Sequence, residues 1–246
     1  MSNSGLILPR VIGHRGAAGH APENTLVGFR KAAQLGARWV EFDVALTREG
    51  EPVLLHDETV DRTTSGKGKL AAMTLGALQT LDAGAWYSEA TAGERVPTLT
   101  EAIALLQSLG LGANIEIKPT TGREAETGAV VAKRVADAWP VSLPPPLFSS
   151  FKTEAIAAAR DAAPSIARGY LLNGLGRDWQ KDAAALGCVS IHCNHRSLAR
   201  KAAAEVRQAG YHLLTYTVND AARGRQLFDW GVEAVFTDYP DRLLAI

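Results

Sequence analysis

Short apolar, β-branched runs recur along the chain, each followed by a stretch with helical spacing, and this alternation constrains the fold more than any other feature. The strand-like runs are "RVIGH" (10–14), "RWVEFDVAL" (38–46), "NIEIK" (114–118), "LFSSF" (147–151), "ARGYLL" (167–172), "CVSIHC" (188–193), "HLLTYTV" (212–218) and "EAVFTD" (233–238). "TLVGFRKAAQLG" puts Leu26, Phe29 and Ala33 on one helical face and stops at Gly36; "PTLTEAIALLQSLG" repeats the device and stops at Gly110. Helical spacing also covers 123–139, 152–163, 177–186, 197–209, 220–230 and a short stretch at 240–246. Eight such units in 246 residues predict a parallel (β/α)8 TIM barrel, with a doubly wound open sheet as the alternative.

A ninth run, "PVLLHD" (52–57), follows the second strand after only "TREGE". A parallel neighbour needs a crossover of about a dozen residues, so a link this short makes a hairpin. The run then returns antiparallel and carries His56 back towards the end at which the second strand leaves the barrel. Residues from about 45 to 97 become an insertion between the second strand and the helix starting near 98, and "RTTSGKGKLAAMT" within it reads as loop. Residues 1–246 are expected to form one domain carrying this one insertion.

Composition excludes little but usefully. With 26 basic and 26 acidic side chains the net charge is zero, which favours neither nucleic acid nor an anionic membrane at long range. An anionic substrate must be held by local positive charge. The opening "MSNSGLILPR" has the make-up of neither a signal peptide nor a membrane anchor, and nothing in the sequence specifies an oligomeric state. Cys188 and Cys193, five apart on one expected strand, should face opposite ways and stay reduced, which points to the cytoplasm.

The chemistry gathers where strands end. Glu41 and Asp43 share a face of the second strand, and Glu116 and Lys118 share a face of the third. The first strand ends in His14 and Arg15, and the hairpin supplies His56 and Asp57. Barrel active sites lie at the carboxyl ends of the strands, so one mouth receives all of these groups. Singly, each has a bland account: strand-end charges, a buried ion pair, a satisfied histidine. Together they repeatedly interrupt apolar strands at the same end, which the bland account leaves unexplained. Three oxygen donors without cysteine suit one hard divalent cation, Mg²⁺ or Ca²⁺. Arg15 and Lys118 beside such a cation call for an anion, and phosphate fits. Two histidines can divide the proton transfers as base and acid.

In this order, "HRG…PENT", "EFDV", "LLHD", "NIEIKP", "SSF", "YTVN" and "TDYPD" resemble the glycerophosphodiester phosphodiesterases over essentially the whole chain. "DAGAWYS" and "LGCVSIH" place the resemblance nearest the bacterial cytosolic branch of that family. The resemblance implies hydrolysis of small-molecule glycerophosphodiesters to sn-glycerol 3-phosphate and an alcohol. By position it implies Glu41, Asp43 and Glu116 as metal ligands, His14 and His56 as the acid/base pair, and Arg15 and Lys118 as phosphate contacts. It further implies attack by the substrate's own 2-hydroxyl, through a cyclic phosphate. Tyr216 departs from the tryptophan that many members carry before "TVN", which bears on the shape of the glycerol pocket. Trp86 or Tyr87 of the insertion would either touch the leaving alcohol or pack in a core.

Other functions use parts of the same residue set. A lysophospholipase D would use the same site. A retaining glycosidase also employs paired carboxylates on a barrel, but leaves Arg15, Lys118 and both histidines without work. A phosphodiester-binding protein without turnover would be expected to lack a ligand or a histidine.

Overall fold

The computed structural model describes residues 6–246. β1 (Val11–Gly13) leads to α1 (Leu26–Gln34), β2 (Trp39–Leu46) and β3 (Pro52–Leu54), and a short α2 (Leu75–Leu78) interrupts the loops before α3 (Leu99–Leu109). Strand and helix then alternate: β4 (Gly112–Ile117), α4 (Glu124–Ala138), β5 (Leu147–Ser150), α5 (Thr153–Ala162), β6 (Ala167–Leu172) and α6 (Trp179–Ala185). β7 (Ser190–Asn194), α7 (Arg200–Gln208), β8 (His212–Tyr216), α8 (Ala221–Asp229), β9 (Ala234–Thr237) and α9 (Pro240–Leu244) complete the chain.

The parallel strands run β1-β2-β4-β5-β6-β7-β8-β9, and β9 pairs back onto β1, so the sheet closes into an eight-stranded barrel rather than an open sheet. β3 pairs antiparallel with β2 outside the ring, Val44 opposite Leu54, as the short link requires. The helices are set by local signals. The Thr25 hydroxyl accepts from the Gly28 amide at the start of α1. Thr98 and Glu101 form a reciprocal capping box on α3, and Gly110 ends that helix at φ 65°.

Along β2 the period of two separates the faces. Val40, Phe42 and Val44 pack outward against Phe29, Ala32, Leu99 and Leu106 of the helices, whereas Trp39 joins Ile12, Leu147, Leu214, Ala234 and Phe236 in plugging the barrel interior. Gly112 on β4 makes room for Trp39, because a Cβ there would stand 2.4 Å from the indole. Above this plug the inward positions turn polar: Glu41 and Asp43 on β2, Asn114 and Glu116 on β4.

The stretch between β2 and α3 has a small apolar core of its own, in which Val53, Leu55, Val60, Leu70, Leu78, Ala83 and Val96 are buried. The Leu54 amide donates to the Pro97 carbonyl at 2.9 Å, which ties the hairpin to the foot of α3. The expected loop at 62–74 contains one 3-10 turn at Leu70–Ala72. Trp86 is half-exposed, donating its indole N–H to the Ala83 carbonyl and meeting Tyr87 edge-on.

One expectation fails at Cys188. It does not open β7; its amide bonds back to Ala183 after Gly187 (φ 64°), so it belongs to the close of α6. Both thiols are free and sit in the same apolar cluster, where burial pushes each up to about 12. No helix among the described residues is long and apolar enough to cross a membrane.

Candidate active site

The ladder carries the functional residues to one rim. Asp43 lies opposite Glu116 in the β2–β4 register, and Glu41 lies opposite Asn114. His14 and Lys118 stand just past their strands, but their amides extend the ladders to the Thr237 and Val44 carbonyls, at 2.8 Å each. Arg15 adopts a left-handed backbone (φ 49°), a conformation costly for a side chain of this size. Its amide then donates to Glu41 Oε2 at 3.0 Å. Asn24, also left-handed, clamps Asp43 twice: its Nδ2 donates to Oδ2 at 2.9 Å, and its Oδ1 accepts from the Asp43 amide at 3.1 Å.

The three acidic side chains Glu41, Asp43 and Glu116 each present an oxygen within 4.8 Å of the others. Their charges are compensated unequally. Arg15 Nε is 3.3 Å from Asp43 and Lys118 Nζ is 3.5 Å from it, so despite burial the Asp43 carboxyl is held well below its ordinary range. Burial pushes Glu41 well up, reinforced by Asp43 and Glu116, and its Oε1 has no hydrogen-bond partner. Glu116 is pushed up to about 7 by burial and by Asp43, although Lys118 donates to it at 3.0 Å. A divalent cation fits this donor set: it would supply the charge that Glu41 and Glu116 lack and a partner for the orphaned Oε1.

Each histidine has its Nδ1 engaged by a carboxylate. His14 Nδ1 is 2.7 Å from Asp238, and its Nε2 is 3.9 Å from Glu41 Oε2. His56 Nδ1 is 2.6 Å from Asp57, which Arg62 holds in turn and depresses to about 2. Arg62 also grips both oxygens of Glu23, which accepts from Arg15 at 2.7 Å. His56 itself lies below its ordinary value, through burial and the nearby Arg15 and Lys118, against the pull of Asp43.

All of the expected site residues except Asp43 line a cavity of about 160 Å³, and Asp43 lies directly behind it on Arg15 and Lys118. An adjoining cavity of about 210 Å³ shares His56, Glu116, Lys118 and Phe151 and opens over Asp57, Glu58 and Lys152. Trp86 and Tyr87 line neither; the insertion reaches the site through His56, Asp57 and Glu58 instead. Tyr216 lines the first cavity and donates to the Leu172 carbonyl at 2.9 Å.

The sequence reading did not single out Asp238, Glu23, Asn24, Arg62, Asn114, Ser149 or His192. Asp238 in "TDYPD" directly follows a strand, which was an available signal, whereas Glu23 and Asn24 sit in "PENT" just ahead of α1. His192 is fully buried and pushed down to about 3 by that burial alone. Below pH 6.5, its ordinary value, the unfolded chain takes up a proton that folded His192 refuses. Stability attributable to this residue should therefore fall as pH drops towards 3, by about 1.4 kcal/mol per pH unit. Chemical denaturation of wild type and His192→Phe between pH 7 and 5 measures this. Parallel stability curves would remove the effect.

The family described as the glycerophosphoryl diester phosphodiesterase family matches residues 14–242. A glycerophosphodiester phosphodiesterase of Caldanaerobacter subterraneus subsp. tengcongensis is 33% identical over 95% of this chain and 96% of its own length. A Bacillus subtilis enzyme of the same name is 33% identical over 94% of this chain and 83% of its own. The structure of an Oleispira antarctica phosphodiesterase in complex with the product sn-glycerol-3-phosphate superposes with a TM-score of 0.94, at 40% identity, covering 97% of this chain and 96% of that one. With eight parallel strands closing on this rim and a family match spanning nearly all of them, the chain belongs to the glycerophosphoryl diester phosphodiesterase family and is a phosphodiester hydrolase.

Proposed function

We propose that the protein hydrolyses glycerophosphodiesters to sn-glycerol 3-phosphate and an alcohol, using one divalent cation, Mg²⁺ or Ca²⁺, held by Glu41, Asp43 and Glu116. The observation that carries this reading is the undercompensated carboxylate cluster set beside Arg15 and Lys118, in a cavity flanked by two carboxylate-tied histidines. When bound, the cation supplies Lewis-acid polarisation of a phosphoryl oxygen. Arg15 and Lys118 hold the remaining phosphoryl charge, and burial makes each of those contacts count for more than it would in water.

His56, kept neutral by its surroundings, accepts at Nε2 the proton of the glycerol 2-hydroxyl as that oxygen attacks phosphorus. The bond from phosphorus to the departing oxygen breaks with its electron pair, and His14 delivers a proton to that oxygen. Asp238 at Nδ1 fixes the orientation and tautomer of His14. In the second half the roles reverse. His14 takes a proton from water as it adds to the cyclic phosphate, and His56 returns its proton to the 2-oxygen. The free thiols of Cys188 and Cys193 support a cytoplasmic setting.

Glycerophosphocholine and glycerophosphoethanolamine are expected to be cleaved by purified protein, with activity lost in EDTA and restored by Mg²⁺ or Ca²⁺. Full activity after exhaustive chelation would overturn the cation's part. An attacking hydroxyl held within the substrate has a large effective-concentration advantage over bulk water. The 2-deoxy analogue of glycerophosphocholine should therefore bind but be barely hydrolysed, and a cyclic phosphate should be trapped from the true substrate. Comparable turnover of the deoxy analogue would assign the attack to water.

A further inference from the structure

Two buried polar side chains that line the cavity each leave one atom without a hydrogen-bond partner. Asn114 (1% exposed) spends its amide Nδ2 on Ser149 Oγ at 2.9 Å, which leaves Oδ1 without a hydrogen bond. His192 (0% exposed) shares a 2.9 Å hydrogen bond between Nε2 and Ser190 Oγ, which leaves Nδ1 bare. Both side chains line the cavity that holds His14, Glu41 and Glu116, below the reacting groups. The fold makes space for this arrangement. Gly169 stands beside His192, and a Cβ there would come within 2.4 Å of Nε2. A polar atom left unpaired in so dry a place is destabilising unless a ligand completes it.

Resting on the proposed activity, we infer that Asn114 and His192 form the floor that recognises the terminal hydroxyl of the substrate's glycerol unit. When Ser190 donates to Nε2, the His192 proton resides on Nδ1, so the floor offers one donor and one acceptor. A hydroxyl is the small group that satisfies both. Methyl satisfies neither, and an acyl ester has lost the hydrogen that Asn114 Oδ1 needs. An acyl chain at that position would also run into Phe236 and the packed layer of Ile12, Trp39, Leu147 and Leu214 in the barrel interior. The floor therefore selects deacylated glycerophosphodiesters over lysophospholipids acylated at the terminal carbon.

The test compares kcat/KM for glycerophosphocholine with that for 2-hydroxypropyl phosphocholine, which keeps the attacking hydroxyl and lacks the terminal one. Wild type should prefer the glycerol compound by roughly 10- to 100-fold. Asn114→Leu and His192→Phe should each shrink that ratio towards one, whereas a merely structural defect lowers both values together and leaves the ratio intact. A 1-acyl lysophosphatidylcholine should not be turned over. Equal use of the two small diesters by wild type, an unchanged ratio in both variants, or comparable turnover of the lysophospholipid would overturn the inference and leave the proposed activity standing. No hydrolysis of either small diester would overturn that activity, and the floor with it.

Discussion

His14→Ala and His56→Ala are each expected to lower kcat by roughly 10²- to 10⁴-fold. His14 connects to the end of the neighbouring strand β9 through Asp238, and His56 connects to the insertion through Asp57 and Arg62. Neither side chain is part of the packed core, so the variants should keep wild-type unfolding transitions. In the proposed step each residue moves its own proton, one accepting and the other donating. The double variant should therefore fall well short of the product of the two single losses. Steady-state rates on glycerophosphocholine decide the matter, and a near wild-type rate in either single variant would remove that residue from the chemistry. Arg62→Ala should show a weaker version of the His56 effect, because it frees Asp57 without removing the imidazole.

Glu116→Gln should abolish most turnover, a loss of several kcal/mol of transition-state stabilisation. The same change is expected to stabilise the cation-free protein. The folded value of Glu116 is about 7, against an ordinary 4.5. Between those values the folded state binds the proton more readily than the unfolded state, so wild-type stability drops as pH rises through that window. Glutamine carries no such penalty. Its advantage should be fully present above pH 7, on the order of 1–3 kcal/mol, and should vanish below pH 4.5. Denaturation in EDTA at pH 8 and pH 5 reads the sign. Mg²⁺ or Ca²⁺ should then raise the Tm of wild type and not of the variant, since only a protein that binds the ion gains from it. Equal shifts in both proteins would remove Glu116 from the ligand set.

The barrel was legible because its cause is local. Period-two runs such as 38–46 and capped helices such as 98–110 announce themselves within a dozen residues, and the five-residue link after Leu46 forces the hairpin. The cluster on the rim was legible for a related reason. Glu41, Asp43, Glu116 and Lys118 interrupt apolar runs, and strand geometry converts that spacing into a common face. Their supporting groups were not legible. His14 meets Asp238 across 224 positions of sequence, and Arg62 meets Glu23 across 39. No period connects such pairs; only ring closure and the folding back of the insertion do. His192 was hidden differently. In "CVSIHC" it reads as one polar residue in an apolar strand, and only Gly169 on the neighbouring strand reveals why a ring fits there. Cys188 misled because the strand-like run began two residues before the backbone left the helix cap.

The pairing of β1 with β9 also sets the order in which competence is acquired. β1, β2 and β4 emerge early in synthesis, and with them Glu41, Asp43 and Glu116 and the neighbouring Arg15 and Lys118. The anchor of His14 comes from the residue just after β9, the last strand to be made. A ribosome-bound chain therefore holds its carboxylate cluster long before the imidazoles of His14 and His56 are both held in place. With His14 as the proposed acid, hydrolysis should begin only when the final strand docks between its neighbours, so an enzyme assay during refolding should report completed closure of the ring.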